Sequence, residues 1–282
     1  MLRKIGFGFV CVCISVMALA AERKPVAVIK LEPYMSMALT VRATINGQEG
    51  IFLFDTGGGV TGITPDFAKK IGCEPWGRIT GFRMNGERMD TPQCSGLEVV
   101  AGGQHGTVQQ ALVLDLAGMM PKDWPHLDGS IALDAFAGKT ITFSLAKREI
   151  VVESAKSLAV REREAKAVPA RLVRDANGAS LGVAMAVPVK QGNVWMEIDS
   201  GNTSGKILIG KHLAEQFALD AKKREAQAAT VKVLDGVVVQ SPALVRDLIF
   251  DGNLGTTFLK DWDVTLDLSG SGRAWLTAAT RH

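Results

Sequence analysis

Apolar and polar positions in this chain form short alternating runs broken by glycine turns, and the runs come twice in the same order. In the first pass, Ile45-Asn46-Gly47-Gln48-Glu49-Gly50 leads into Ile51-Phe52-Leu53-Phe54 and then Asp55-Thr56-Gly57. Asn-Gly between apolar runs predicts a hairpin. In the second pass, Val187-Pro188-Val189-Lys190-Gln191-Gly192-Asn193 leads into Val194-Trp195-Met196-Glu197-Ile198 and then Asp199-Ser200-Gly201. After each aspartate, 9 and 11 positions on, a short helix is expected: Thr64 to Gly72, with Thr64 as N-cap and Pro65 in the first turn, and Gly210 to Phe217. Each half then offers a further hairpin, Asn85-Gly86 and Asp235-Gly236. Each closes on Asp128-Gly129-Ser130-Ile131-Ala132-Leu133 or Asp251-Gly252-Asn253-Leu254-Gly255-Thr256. Alternating strands follow, Thr140 to Leu145 and Asp263 to Leu268. One Asp-Thr/Ser-Gly alone is weak; five features repeated in order predict two β-rich lobes of one plan.

The ends and the middle read differently. Arg3-Lys4, the apolar run Ile5 to Met17 and Ala18-Leu19-Ala20 have the form of a cleaved export leader, so the mature chain is expected to start at Ala21. Cys11 and Cys13 lie in that leader without a lipobox. Ser154 to Val168, with Arg161-Glu162-Arg163-Glu164 in its middle, reads as a charged linker. The expected division is a leader over 1–20, a first lobe over 25–153, a linker over 154–170 and a second lobe over 171–282. The protein is expected to be periplasmic or secreted, without a stable membrane anchor, since no later run approaches 18 apolar residues.

Composition narrows the function. Of 282 residues, 47% are hydrophobic and 22% charged, an ordinary globular balance. Lys and Arg number 32 against 29 Asp and Glu, and Arg3 and Lys4 leave with the leader, so the rest is near neutral. A nucleic-acid partner, which needs a concentrated basic face, is not expected. Export leaves Cys73 and Cys94, 21 positions apart. An oxidising compartment permits a disulfide between them, and two separate thiols fit the sequence equally well.

Several chemistries find no support. The histidines His105, His126, His212 and His282 are widely spaced, so no metal site is expected, and no cofactor. Gly57-Gly58-Gly59 is not followed by Gly-Lys-Ser/Thr, so it is no phosphate loop. Neither Ser130 nor Ser204 lies in a Gly-x-Ser-x-Gly turn. Asp128 and Asp251 read as turn residues, and Trp124, Trp195 and Trp262 as core or cleft-wall anchors.

What remains is the pair of Asp-Thr/Ser-Gly turns. Each aspartate ends an apolar strand and precedes a glycine, whose missing side chain allows close approach and whose N–H can donate to the carboxylate. Two lobes face to face would bring Asp55 and Asp199 together, and like charges at short range share one proton. The ionised carboxylate can take a proton from water while the protonated one polarises a carbonyl, which hydrolyses an amide without a metal. Thr56 and Ser200 supply hydroxyls able to bind across the interface.

Phe52 to Gly58 and Met196 to Asn202 resemble the two active-site loops of aspartic peptidases, and Asn253-Leu254-Gly255 is similar to the apolar-apolar-Gly element behind such a loop. The spacing is closer to the retropepsin-like branch, here fused in tandem. The resemblance covers roughly Ala38 to Leu276. It implies an all-β fold of two homologous closed barrels with short helices, facing a central cleft. It implies an endopeptidase acting on an extended polypeptide, working as a monomer because both lobes are on one chain. Asp55 and Asp199 would be the catalytic pair, with Thr56, Gly57, Ser200 and Gly201 supporting the loops and Met84, Asn85 and Gly86 at the tip of a flap. Three residues depart from the pattern: Gly58 and Asn202, where a small hydroxyl or methyl residue is usual, and Ala132, where glycine is expected and a methyl should press on the Asp55 loop. These departures suggest the alternative of a turnover-impaired protein that holds peptides or an envelope partner in the cleft.

Overall fold

The computed structural model describes residues 24–35, 37–116, 118 and 120–280. The expected leader with Cys11 and Cys13, the Ala21 start and His282 lie outside the described residues.

Two sheets carry the chain. The first has eight strands in the order Glu32–Pro33, Leu39–Ile45, Gln48–Phe54, Gly129–Ile131, Gly62–Ile63, Gln104–Val113, Arg88–Ala101 and Trp76–Phe82. It closes into a barrel where Leu39–Ile45 also pairs with Arg88–Ala101, Thr44 opposite Val100. Its turns obey local chemistry: Asn46 and Gly47 both take positive φ, the conformation a two-residue hairpin demands. The interior is aromatic, with Phe52 edge-on to Phe67 and Phe54 against Phe136 and Phe143.

The second sheet has twelve strands. Six of them, Ala27–Lys30, Glu149–Val152, Thr140–Ser144, Trp262–Asp267, Arg273–Ala278 and Lys166–Val173, form an antiparallel platform joining the lobes. At its centre Thr142 faces Thr265, hydroxyl to hydroxyl at 2.8 Å. These two threonines are 123 positions apart, the interval that also separates Asp128 from Asp251, so the repeat axis passes between them. Beyond Lys166–Val173 the sheet continues into the second lobe through Gly182–Val189, Gly192–Ile198, Gly252–Leu254, Ile207–Gly210, Val237–Arg246 and Gln227–Leu234. The chain is thus mostly β, in two lobes joined by the platform.

Two features differ from the sequence pattern. The charged stretch after Glu153 is a helix, Ala155–Glu164, with a capping box between Ser154 and Ser157. It packs on the platform, where buried Glu153 accepts from Thr142 Oγ1 at 2.6 Å, from Ser157 Oγ and from Arg161. The strand Lys166–Val173 follows at once, so residues 154–170 are structured throughout. Second, the hairpins of the two halves correspond differently. Gly62–Ile63 runs parallel to the end of Gln104–Val113, as Ile207–Gly210 does to the end of Val237–Arg246. The counterpart of Asp235-Gly236 is therefore the turn at Gly102-Gly103, and the Asn85-Gly86 hairpin is an addition of the first lobe alone.

Candidate active site

Asp55 lies where the buried strand Gln48–Phe54 leaves the first barrel. That strand is held antiparallel by Leu39–Ile45 on one side and parallel by Gly129–Ile131 on the other. The last rung is the Asp55 N–H donating to the Ile131 carbonyl at 3.0 Å; Asp199 N–H donates likewise to Leu254 at 3.1 Å. The strands are also hooked further back. The Asp128 carboxylate accepts from Ile51 N–H at 2.8 Å and that of Asp251 from Trp195 N–H at 2.7 Å. These aspartates therefore pin the loop-bearing strands, beyond the turn role read from sequence. His126 and His212, both exposed, pair with their outer oxygens.

The two loops then turn alike. Gly57 N–H donates to Asp55 Oδ1 at 2.9 Å, and Gly201 N–H to Asp199 Oδ1 at 2.7 Å. Thr56 and Ser200, both buried, exchange bonds across the interface. Thr56 Oγ1 donates to the Ile198 carbonyl (2.8 Å) and accepts from Ser200 N–H (2.9 Å). Ser200 Oγ donates to the Phe54 carbonyl (3.1 Å) and accepts from Thr56 N–H (3.0 Å). Both hydroxyls and both backbone N–H groups of the pair have a partner on the other lobe, which ties the two loops together.

This interlock sets each carboxyl against the other loop's glycine. A Cβ on Gly57 would lie 2.5 Å from Asp199 Cγ, and one on Gly201 2.6 Å from Asp55 Oδ2. The two carboxyls hydrogen-bond to each other. Burial, then the negative charge of Asp199, pushes Asp55 up to about 7, with the bond to Asp199 adding to the rise and the N–H groups of Gly57 and Gly201 opposing it.

Two side chains at the site were not picked out from the sequence. Asn253 is 0% exposed, and its amide Nδ2 donates to Asp199 Oδ2. Glu197 is half-buried on the strand before Asp199, with Oε2 3.4 Å from the same Nδ2. Burial, then the charges of Asp199 and Asp55, holds Glu197 well above the carboxylate range. The available signal was positional: the repeat aligns Asn253 with Ser130 and Glu197 with Leu53, polar groups replacing weaker or apolar ones. A third buried acid, Asp134, accepts from Thr61 N–H (2.8 Å), Thr61 Oγ1 (2.5 Å) and Ala135 N–H (2.9 Å), tying the Asp55 loop to the turn after Ala132. Burial raises it to about 6.

The departures fit together. A Cβ on Gly255 would meet the Asn202 side chain, Cγ at 2.7 Å, so glycine there makes room for asparagine. In the first lobe the sizes are exchanged: Gly58 stands at the place of Asn202 and Ala132 at that of Gly255. Ala132 is fully buried, and the Asp55 loop keeps the glycine N–H bond to its own carboxyl that its counterpart makes.

The hairpin around Met84, Asn85 and Gly86 reaches the second lobe, where Ile249 N–H donates to the Met84 carbonyl at 3.0 Å. Its base is stapled by a disulfide between Cys73 and Cys94.

Residues 41–134, the part of the first lobe around Asp55, match the family model described as aspartyl protease. No curated protein matches the chain. Among solved structures, the chain is similar to basic 7S globulin from soybean, at a TM-score of 0.55 and 10% identity, over 91% of this chain and 95% of that one. At that identity the likeness speaks for the fold, which it extends across both lobes. The aspartyl protease signature thus falls on the segment that carries Asp55, a third of the chain, and the likeness of fold covers the rest. Family and fold together support a peptidase-type function.

Proposed function

We propose that the protein is an exported aspartic endopeptidase that hydrolyses polypeptides bound in extended form between its lobes, in the periplasm or outside the cell. The observation that carries this reading is the crosswise nesting of the two carboxyls, each against the other lobe's glycine and hydrogen-bonded to the other. Such a pair holds one proton between two acids. The ionised member removes a proton from a water molecule as its oxygen attacks the scissile carbonyl carbon, and the protonated member gives its proton to the carbonyl oxygen. The resulting diol collapses when one hydroxyl returns a proton to the pair and the amine nitrogen takes one from it, so the pair ends as it began. Turnover is expected from acid pH up to the range where Asp55 loses its proton, about 7.

The test is a peptide-library digest read by mass spectrometry from acid to neutral pH, with Asp55→Asn and Asp199→Asn in parallel. Cleavage by the unaltered protein that each substitution reduces by at least about a thousandfold supports the reading. Folded protein that binds library peptides and cuts none overturns it in favour of a peptide-holding cleft.

A further inference from the structure

We infer that Asn253, oriented by Asn202 and Glu197, is a positioning residue that makes Asp199 the anionic member of the pair and leaves the shared proton on Asp55. The catalytic consequence rests on the peptidase reading; the assignment of charge does not.

The orientation follows from donors and acceptors that cannot exchange roles. Asn202 Nδ2 donates to the Lys206 carbonyl at 3.1 Å, and a carbonyl can only accept. Asn202 Oδ1 accepts from Ser204 N–H at 3.2 Å, and an N–H can only donate. The Asn202 amide therefore has one orientation, and its Nδ2 also donates to Asn253 Oδ1 at 2.8 Å. This fixes Asn253 in turn, with its NH2 group facing Asp199 Oδ2. The other Asp199 oxygen accepts from the N–H groups of Gly201 and Asn202, at 2.7 and 3.0 Å. Both oxygens of Asp199 thus face N–H donors, and hydrogen bonds of that kind favour the charged form. Asp55 has the Gly57 and Gly201 N–H groups but no side-chain amide among the described residues.

Glu197 completes the arrangement. Its Oε2 lies toward the remaining N–H of Asn253. The charged groups acting on it are Asp199, Asp55 and Asp175, all acidic. Lys206 Nζ donates to the Ser204 carbonyl, and Arg171 lies 3.9 Å over the Trp195 ring. Burial, then the charges of Asp199 and Asp55, disfavours the charged form of Glu197. It can therefore accept from Asn253 without adding a second anion beside Asp199.

The four positions involved differ together from the first lobe: Leu53, Gly58, Ser130 and Ala132 stand where the second lobe has Glu197, Asn202, Asn253 and Gly255. Gly255 is a member because a Cβ there would meet Asn202 Cγ at 2.7 Å. Such a set gives two otherwise equivalent aspartates different roles.

The experiment combines the pH profile of kcat/KM with a titration of the two aspartates in the whole protein, labelled with 13C at the aspartate carboxyls. Asp55→Asn and Asp199→Asn assign the signals. Asn253→Ser installs the first-lobe residue, and is expected to raise the titration of Asp199 and move the acid limb of the profile upward by about one pH unit. Below that limb this is about a tenfold loss of rate. Glu197→Leu should move both in the same direction by less, whereas Glu197→Gln keeps an acceptor for Asn253 and should leave them in place. An acid limb and an Asp199 titration unmoved in both Asn253→Ser and Glu197→Leu would overturn the inference, as would a Glu197→Gln shift equal to that of Glu197→Leu. If the unaltered protein cleaves nothing, the peptidase reading falls on its own, and the Asp199 titration alone decides this one.

Discussion

The strand before the loop ends Phe52-Leu53-Phe54 in the first lobe and Met196-Glu197-Ile198 in the second. Both leave the sheet through the same last rung, both are hooked by an aspartate from the closing motif, and both loops make the same glycine N–H bond to their own carboxyl. The frame is therefore copied closely, while the polar groups behind the carboxyls are not. Behind Asp199 are an asparagine amide and a buried acid; at the same places behind Asp55 are Ser130 and Leu53. The first lobe in turn has a flap hairpin, a disulfide and Asp134, for which the second has no counterpart among the described residues. What duplication kept is what places two acids at one point. What diverged distinguishes one acid from the other and covers the site from one side only.

The copied part should respond equally from either lobe. Thr56→Val removes a hydroxyl that donates to Ile198 and accepts from Ser200, leaving a buried carbonyl and a buried N–H without partners. About 4 kcal/mol of stability should be lost. Ser200→Ala orphans Thr56 N–H and the Phe54 carbonyl and should cost about the same. Thr56→Ser, which installs the second-lobe residue, should cost less than about 1 kcal/mol. Urea unfolding measures all three. A difference of more than about 2 kcal/mol between Thr56→Val and Ser200→Ala would show that the interlock is carried by one lobe.

The disulfide belongs to the diverged part. Its loop spans 21 positions, for which the chain-entropy account gives about 3 kcal/mol. The double change Cys73→Ser with Cys94→Ser should lower the urea midpoint accordingly. It should also speed proteolytic nicking between residues 76 and 93, with no comparable gain at the Asp235-Gly236 hairpin. Equal gains at both hairpins would mean that the staple stabilises the whole molecule rather than the flap of one lobe.

These differences bear on what the sequence made legible. The two loops, Thr56 and Ser200, and the strand–turn–strand order could be read because turn chemistry and period-2 alternation are local. The hairpin correspondence is not legible locally, because Asn85-Gly86 and Asp235-Gly236 give the same signal, and only the parallel pairing of Gly62–Ile63 with Gln104–Val113 identifies the true counterpart. The helix Ala155–Glu164 has the sequence of a linker because its residues are mostly exposed or half-exposed, with Ser157 the buried one, so no apolar stripe marks it. Its cap, a serine answered by a serine, is also a weaker start signal than serine answered by glutamate. Asn253 was hidden inside a motif read for its apolar and glycine positions. Glu197 alternates with buried neighbours as any outward residue of a strand does. Their meaning depends on Asp199 being two residues from one and a sheet neighbour of the other, which only the pairing of Gly192–Ile198 with Gly252–Leu254 shows.

The smallest expected effect concerns where the first lobe holds its protons. Asp55 titrates at about 7 in the folded protein and near 4 when unfolded. Between these values the folded state keeps a proton that the unfolded state releases, so this contribution is fully present below about pH 4 and is lost as pH rises through about 7. Asp134, raised to about 6, acts in the same direction over a narrower window. The urea midpoint should therefore fall from pH 4 to pH 7. Discounting for the partial exposure of Asp55, its share is on the order of 1–2 kcal/mol. Asp55→Asn should flatten the decline above pH 6, where Asp134 is largely ionised, while Asp134→Asn should flatten it below. Asp199→Asn should instead remove the neighbouring charge that helps raise Asp55, moving the upper end of the decline to lower pH. If both Asp55→Asn and Asp199→Asn left the upper end unmoved, the shared proton would not be on this pair, and the contrast drawn between the lobes would have to be drawn elsewhere.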